Sequence, residues 1–317
     1  MQKKKLSIVT PTYNRVKLLP RLWKSISGQT FNSFYWVVID DGSTDGTGDY
    51  FATIDDERIA YFWQENQGYN DARNQGASKR PADYLVFIDS DDAFYSNHTL
   101  SDMVNDIENT PDDVAVLAYR AIDQKGKIRC RMTKSQLIVD YQDMICGSSV
   151  SGEFIYIFKG NVFPKYQWPS VPGLDSHILW DISKTSKLLY SEKIGRVYHI
   201  NDNQRHSKNA DNMSGVYKII EKAPNIADGL EVMFRKHGAS MKAACCKVFA
   251  KKKFYLALNY AISGDKLNAF KNLRESLKNR GPKIRIILLL LSLFLPLFVI
   301  RKLFIVKTKA GFSMKSL

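Results

Sequence analysis

The first hundred residues alternate short apolar runs with stretches in which apolar residues recur at helical spacing. Leu6–Thr10 and Phe34–Ile39 are runs of strand length, and between them leucine and isoleucine recur with a helical period over residues 18–26. This pattern predicts a strand, a helix and a second strand. The runs Ile59–Trp63 and Tyr84–Ile88 predict a third and a fourth strand.

The alternation of strands and helices predicts an α/β fold with a mostly parallel sheet and helices on both faces. Such sheets bind ligands at the carboxyl ends of their strands. Polar clusters lie at these predicted ends, at Pro11-Thr12, Asp40-Asp41, Gly68 and Asp89–Asp92. We therefore expect the four clusters to line one crevice.

The fourth strand ends in three carboxylates within four residues, Asp89, Asp91 and Asp92. Their mutual repulsion would be costly unless a cation or solvent relieved it. Magnesium and manganese prefer carboxylate oxygens and usually keep water and substrate phosphates as further ligands. An acidic turn that caps the next helix is the alternative, because Asp and Ser also favour such positions. The acidic run by itself leaves both interpretations open.

Five motifs in the first half of the chain together indicate a family. They are Thr10–Arg15, Gln29–Phe31, Val38–Asp45, Asn66–Gly76 and Asp89–Asp92. In this order they resemble the successive motifs of family 2 glycosyltransferases, which have the GT-A fold. The resemblance is strong over about the first 100 residues and looser to about residue 205. It implies a nucleotide-sugar donor, usually a UDP-sugar or GDP-sugar, and transfer with inversion at the anomeric carbon.

The resemblance also implies roles for individual residues. Asp41 would accept the ring N–H of uracil, and Gly68 would let the backbone approach the diphosphate. Arg73 would pair with donor oxygens, although a surface ion pair with a nearby acid explains it equally well. Asp91, with Asp89, would hold Mn²⁺ or Mg²⁺. The donor-binding residues implied in this way are Pro11, Thr12, Tyr13, Asp41, Gly68, Arg73, Asp89 and Ser90.

Family members carry the catalytic base in a Glu-Asp pair that opens a helix. The matching segment here has Leu174 in place of Glu and keeps Asp175, which would remove the proton of the acceptor hydroxyl. A helix N-cap is the structural alternative for Asp175. His206 or His199, in a polar loop, would be a further metal ligand or simply a solvated side chain.

The carboxyl-terminal third is basic and contains an apolar run. Residues 205–317 carry 23 of the 46 basic residues but only 6 of the 32 acidic ones. Ile286–Ile300 is almost wholly apolar and has basic residues on both sides. Fifteen helical residues span about 22 Å, short of the roughly 30 Å of a bilayer core. We expect residues 283–302 to lie on a membrane surface or to re-enter it, with a buried core helix or an oligomer interface as the alternative. A nucleic-acid partner is not expected, because no binding motif accompanies the charge.

Residues 254–261 and 269–277 read as two amphipathic helices joined through Gly264-Asp265. The predicted organisation is a catalytic domain over residues 1–210, a helical extension over 211–282 and a membrane-associating segment over 283–317. Within the catalytic domain, residues 1–100 would bind the nucleotide sugar and residues 101–210 the acceptor.

The predicted function is metal-dependent, inverting transfer of a sugar, with a UDP-sugar as the first choice of donor. The acceptor would be a lipid-linked or polysaccharide hydroxyl at the cytoplasmic face of the cell membrane, in surface polysaccharide or glycolipid assembly. Homo-oligomerisation is left open. A nucleotidyltransferase of similar fold is one alternative, but a glycine-rich basic loop would be expected where Pro11–Asn14 follows the first strand. A catalytically degenerate membrane scaffold is the other.

Overall fold

A computed structural model of the protein describes residues 4–147, 149–170, 177–199 and 213–282, together with 289–290, 293, 295–297 and 299–301. The described residues divide into a first unit, over residues 4–199, and a second unit, over residues 213–301. Each unit has its own packed interior, and each is described by itself. The predicted domain boundaries at residues 210 and 282 stay predictions.

The first unit is built on a nine-stranded sheet in the order β3-β2-β1-β4-β10-β6-β11-β5, with β8 paired to β11. A small second sheet pairs β7 with β9. The strands are β1 Leu6–Thr12, β2 Phe34–Asp40, β3 Ile59–Trp63, β4 Tyr84–Phe87, β5 Ala93–Phe94, β6 Val114–Asp123, β7 Cys130–Met132, β8 Gln136–Val139, β9 Val150–Gly152, β10 Phe154–Lys159 and β11 Lys187–Tyr198.

Six helices belong to the first unit: α1 Leu19–Ser27, α2 Thr47–Ala52, α3 Tyr69–Lys79, α4 Thr99–Glu108, α5 Tyr141–Cys146 and α6 His177–Ser183. Strands β1 to β4 are joined by α1, α2 and α3 and pair in parallel. The α/β fold class is therefore confirmed, as are the four strands that the apolar runs predict.

The second half of the sheet is mixed rather than parallel. Strand β10 runs antiparallel between β4 and β6, whereas β6 and β11 pair in parallel. Register shifts in β11 flank Ile194, and Gly195 allows close packing there, since an added Cβ would lie 2.7 Å from a methyl of Ile155. These shifts place Arg196 opposite Ala121 of β6.

Packing on both faces of the parallel strands positions the carboxyl edge of the sheet, where these strands end. Trp36 is fully buried, stacks on Trp23 with centroids 5.2 Å apart and donates its indole N–H to Thr10 Oγ1 at 3.0 Å. On the other face α3 lies close to β1, because a Cβ on Gly76 would meet Val9 Cγ1 at 2.3 Å. Glycine is thus required there, and the close approach positions the amino-terminal turn of α3 at the end of the parallel strands.

The second unit is helical, with α7 over Met213–Ala244, α8 over Cys246–Ser263 and α9 over Lys266–Lys278. The turn between α8 and α9 uses Gly264 in the left-handed region, at φ 96°, and Asp265 as an N-cap that accepts from Asn268 N at 3.0 Å. The predicted helical pair is therefore confirmed. Its apolar core consists of Phe254, Ala257, Ala261, Ala269, Leu273, Leu289 and Leu293.

Two side chains of the predicted membrane segment, Leu289 and Leu293, are part of this core and only 8% exposed. Ile300 is also buried, whereas Leu295 is 36% exposed. Among the residues that the structure describes, no helix has the length and apolar character needed to cross a bilayer. Apolar side chains in the described part of the segment thus pack against α8 and α9.

Candidate active site

The three carboxylates after β4 form one cluster. Asp89, Asp91 and Asp92 each offer an oxygen within 4.8 Å of the others. In the described part of the chain, no other set of three or more His, Cys, Asp or Glu side chains is close enough to hold a metal ion together. A tight turn brings the three carboxylates together, in which the amide of Asp92 donates to the carbonyl of Asp89 at 3.0 Å. Asp91 and Asp92 are buried, and the side chain of Asp89 is 40% exposed.

Each carboxylate of the cluster has its own arginine. Arg73 Nη2 lies 2.7 Å from Asp89, Arg15 Nη1 lies 2.8 Å from Asp91, and Arg196 Nη1 lies 3.1 Å from Asp92. These guanidinium groups come from α3, from the loop after β1 and from β11. The cluster is therefore an array of alternating charges at the carboxyl edge of the sheet.

Neighbouring arginines favour the ionised form of Asp89. Burial by itself raises the pKa of Asp89, but the charges of Arg73, Arg196 and Arg15 outweigh it and hold that pKa below its ordinary value. Ionised carboxylate oxygens are the ligands that Mn²⁺ and Mg²⁺ take, so the donor set fits such an ion.

The three carboxylates are not equally available. Asp92 is fully buried and accepts the amide N–H of His199 at 3.3 Å in addition to its pair with Arg196. Arg196 also contacts Glu153 at 2.9 Å. Asp92 is thus held by Arg196 of β11 and by the residue that follows this strand, whereas Asp89 is the most exposed of the three carboxylates. Asp89 is therefore the most accessible of the three, and the pairing of Asp89 with Asp91 as metal ligands stays a prediction.

The predicted nucleotide-binding residues of β1 lie beside the end of β2. Thr12 pairs in register with Asp40, and the amide of Asp41 donates to the Thr12 carbonyl at 2.8 Å. The Thr12 hydroxyl is buried, and in the described part of the structure it has no hydrogen-bond partner. Tyr13 is 41% exposed just beyond. An unsatisfied buried hydroxyl at this edge is a polar group that a ligand can satisfy.

Asp41 shapes the loop before α3. Its carboxylate accepts from the amides of Gln67 and Gly68 and from Gln64 Nε2, each at 2.8 Å. Gly68 has φ 94°, a conformation that side chains with a Cβ rarely adopt. A carboxylate has about four lone-pair sites, so about one site of Asp41 is left for a ligand. Sequence reasoning gave Asp41 a donor contact and missed this loop-building role.

Arg73 takes part in an ion pair, but within the cluster. Its guanidinium lies over the rings of Tyr69 and Trp168, at 5.1 and 5.7 Å from their centroids, and its side chain is 14% exposed. Arg73 thus pairs with a nearby acid, as one interpretation of the sequence expected, but that acid is Asp89 of the cluster, and of the two side chains only that of Arg73 is largely buried. A contact with donor oxygens stays a prediction.

Several predicted residues are not brought together by the described structure. Asp175 and His206 lie outside the described residues. His199 contributes its backbone amide to Asp92, and its role as a metal ligand stays a prediction. Ser90 is buried in the turn of the cluster.

Three arginines at the site were not assigned from the sequence. Arg15 stands in the first of the five motifs, directly after β1, and this position was a usable signal. Arg196 stands in no motif, and a charged residue inside a long strand was its only signal. Arg21 of α1 adds a third contact, from Nη2 to the Asp91 carbonyl at 2.6 Å.

Comparison with known proteins decides the family. A sequence model described as glycosyl transferase family 2 matches residues 7–163, which include β1 to β4 and the acidic cluster. Residues 7–163 of the chain belong to glycosyl transferase family 2. This family 2 chain is 28% identical over 312 residues to the GalNAc(5)-diNAcBac-PP-undecaprenol beta-1,3-glucosyltransferase of Campylobacter jejuni, with 94% of this chain and 96% of the relative covered.

Other curated glycosyltransferases match the family 2 chain at 33–36% identity over 162 residues, and the chain spans only 20–23% of their length. Solved structures share its fold at low identity. S. aureus TarS 1-349 in complex with UDP-GlcNAc has a TM-score of 0.58 at 17% identity, covering 96% of this chain and 89% of that one. The mannosyltransferase PcManGT of Pyrobaculum calidifontis, in complex with GDP-Man and Mn²⁺, has a TM-score of 0.54 at 17% identity, covering 98% and 87%.

Proposed function

We propose that the chain transfers a sugar from a nucleoside diphosphate sugar, with a UDP-sugar as the first choice, to a hydroxyl of a lipid-linked or polysaccharide acceptor, inverting the anomeric carbon. One observation carries this proposal: three carboxylates, each paired with an arginine, stand at the carboxyl edge of the parallel strands in a family 2 chain. An edge of this kind can hold a diphosphate and the charge it develops on leaving.

The nucleoside would lie over the ends of β1 and β2. Two observations support this placement. The buried hydroxyl of Thr12 can still form a hydrogen bond, and the carboxylate of Asp41 keeps about one acceptor site. Pro11 and Tyr13 would border the same pocket. The fold neighbour that was solved with UDP-GlcNAc supports a UDP-sugar, and the neighbour solved with GDP-Man keeps a GDP-sugar as the second choice.

Asp91 and Asp89 would hold Mn²⁺ or Mg²⁺, whose charge would stabilise the leaving diphosphate. The neighbour solved with Mn²⁺ supports manganese as the first metal to test. Arg73 and Arg15, at the rim of the cluster, would turn from their carboxylates to phosphate oxygens when the donor binds, because guanidinium pairs with either anion in the same planar geometry. Arg196 would keep Asp92 in place.

Asp175 would remove the proton of the acceptor hydroxyl as that oxygen attacks the anomeric carbon. His206 would be a further ligand near the diphosphate. Both assignments come from the family resemblance.

The acceptor proposal follows from the relative that matches nearly the whole chain. Its name specifies an undecaprenol-linked substrate, which supports a polyprenyl diphosphate-linked glycan as acceptor here. Such an acceptor implies work at the cytoplasmic face of the cell membrane, with residues 283–302 near the lipid surface. Assembly of a surface polysaccharide or glycolipid would follow, without a nucleic-acid partner.

The test is a panel of UDP- and GDP-sugars, with Mn²⁺ or Mg²⁺ and a polyprenyl diphosphate-linked glycan, assayed for release of nucleoside diphosphate and for extended product. Asp91→Asn and Asp175→Asn should each abolish transfer in a folded protein. Asp113→Asn is the matched control, because Asp113 is 53% exposed and pairs with Lys187 on the surface. Full activity in either site variant would refute its assignment.

The two alternatives predict different results in the same panel. A nucleotidyltransferase would release pyrophosphate from a nucleoside triphosphate and a sugar phosphate. A degenerate scaffold would turn over no donor with either metal. Release of nucleoside diphosphate that depends on metal and acceptor would exclude both.

A further inference from the structure

Helix α9 presents to solvent a face composed only of large apolar and basic residues. Its inward side is occupied by Ala269, Asn272, Leu273 and Ser276, which are buried in the second unit. The outward face of α9 comprises all of its exposed residues: Lys266, Leu267, Phe270, Lys271, Arg274, Leu277 and Lys278.

The apolar members of this face are unusually open. Leu267 is 65%, Phe270 52% and Leu277 45% exposed. Their spacing of three and seven residues places them on one side of the helix, in a single stripe with Arg274. A surface helix normally turns polar residues outward, so three large apolar side chains in one stripe mark a contact surface.

The charges that surround the stripe are all of one sign. Four of the seven exposed residues are lysine or arginine, and none is acidic. Glu275, the acid of α9, is turned toward α8, where it pairs with Lys253 at 3.0 Å. An apolar stripe bordered by cations matches a bilayer with anionic headgroups, which accepts the apolar side chains below the headgroups and the cations among them.

We propose that the outward face of α9 lies on the membrane surface, parallel to the bilayer plane, and binds anionic lipid headgroups. The proposal differs from anchoring by residues 283–302, since Leu289 and Leu293 are already packed against α8 and α9. It rests on the proposed function for its partner, because a lipid-linked acceptor is held in a bilayer. A second copy of this chain is the competing occupant of the face.

The experiment measures flotation of the full chain with vesicles of phosphatidylcholine alone and with added phosphatidylglycerol. Leu267→Gln/Phe270→Gln should reduce binding to the anionic vesicles about tenfold or more, because two apolar side chains no longer enter the interface. The matched control is Ile128→Gln/Ile138→Gln in the first unit, where the two isoleucines are 45% and 47% exposed. The control should bind as the unchanged chain does.

A second variant tests the charges. Lys271→Gln/Arg274→Gln should weaken binding to anionic vesicles and make it less sensitive to salt, while Lys125→Gln/Lys127→Gln should change neither. Circular dichroism before flotation checks that each variant keeps its helices.

Unchanged vesicle binding by Leu267→Gln/Phe270→Gln would overturn the proposal. A second result would also overturn it: the unchanged chain binds no vesicles and is a dimer, and Leu267→Gln/Phe270→Gln converts this dimer to a monomer. The face would then be a contact between copies of the chain. Release of nucleoside diphosphate from the donor panel, measured in parallel without vesicles but with metal and acceptor, separates the two proposals. Absence of this release in a chain that binds vesicles through α9 would refute the transferase and leave the membrane-binding face supported.

Discussion

Replacing Arg196 by methionine tests the charge array at its most buried arginine. The side chains of Arg196 and Asp92 are 8% and 0% exposed, and the guanidinium also reaches Glu153 and lies 5.4 Å from the ring centroid of Tyr198. Methionine keeps much of the aliphatic length and removes the charge. Asp92 then stays buried, where it still accepts the amide N–H of His199, the residue after β11.

The magnitude follows from burial. Removing one partner of a buried ion pair costs about 3–5 kcal/mol, because the other charge stays buried without its counter-charge. The contact with Glu153 adds little, about 0–1 kcal/mol, since that carboxylate is half-exposed. We therefore expect Arg196→Met to lower the free energy of unfolding of the first unit by about 3–5 kcal/mol.

Urea unfolding followed by tryptophan fluorescence measures this change in the first unit alone. All five tryptophans of the chain, Trp23, Trp36, Trp63, Trp168 and Trp180, lie in the first unit. Lys187→Met is the surface control, because Lys187 and Asp113 are 48% and 53% exposed, and it should cost at most about 1 kcal/mol.

A double variant makes the reasoning refutable. Arg196→Met/Asp92→Asn removes both charges and should recover much of the lost stability, since no buried charge is left unpaired. A loss below about 1 kcal/mol in Arg196→Met, or no recovery in the double variant, would show that the pair is not a buried, coupled one in solution.

Three further predictions concern the parts that support the site. Gly76→Ala should destabilise the first unit by about 1–3 kcal/mol in the same urea assay, because its Cβ would meet Val9 Cγ1 at 2.3 Å, and little or no loss would refute the tight packing of α3. A Cβ at position 68 would have open space, but the φ of 94° is unfavourable for alanine. Gly68→Ala should therefore shift the loop and raise the KM for the donor while the fold is kept. An unchanged KM would exclude that loop from donor binding. Asp56→Asn tests pH dependence. The hydrogen bond and charge of Arg58 hold the pKa of Asp56 in the folded protein below its ordinary value. The pair therefore stabilises the fold at a pH above the ordinary pKa of Asp, and this stabilisation is lost as the pH falls through the lowered pKa. The stability deficit of Asp56→Asn, measured by urea unfolding across the acidic range, should therefore shrink toward low pH, and a constant deficit would contradict this.

Much of the first unit could be predicted from local sequence. The apolar runs that become β1 to β4 are short and continuous, and the segments between them become helices. Polar residues follow each run, and the parallel pairing of the strands brings these residues to one edge of the sheet. Asp89, Asp91 and Asp92 are close in sequence, so their convergence needs only a turn. Periodicity and turn chemistry suffice for these features because they involve neighbouring residues.

The sequence by itself therefore determined the α/β class, the four parallel strands and the acidic cluster. Only the tertiary structure decided that Arg196 of β11 pairs with Asp92, that β10 runs antiparallel between β4 and β6, and that Leu289 joins the core of the helical unit. These contacts join residues far apart in the chain, and they depend on strand order, register and the competition among apolar surfaces for burial. No local pattern carries that information, because the same apolar run can pack inside a protein or against lipid with equal gain.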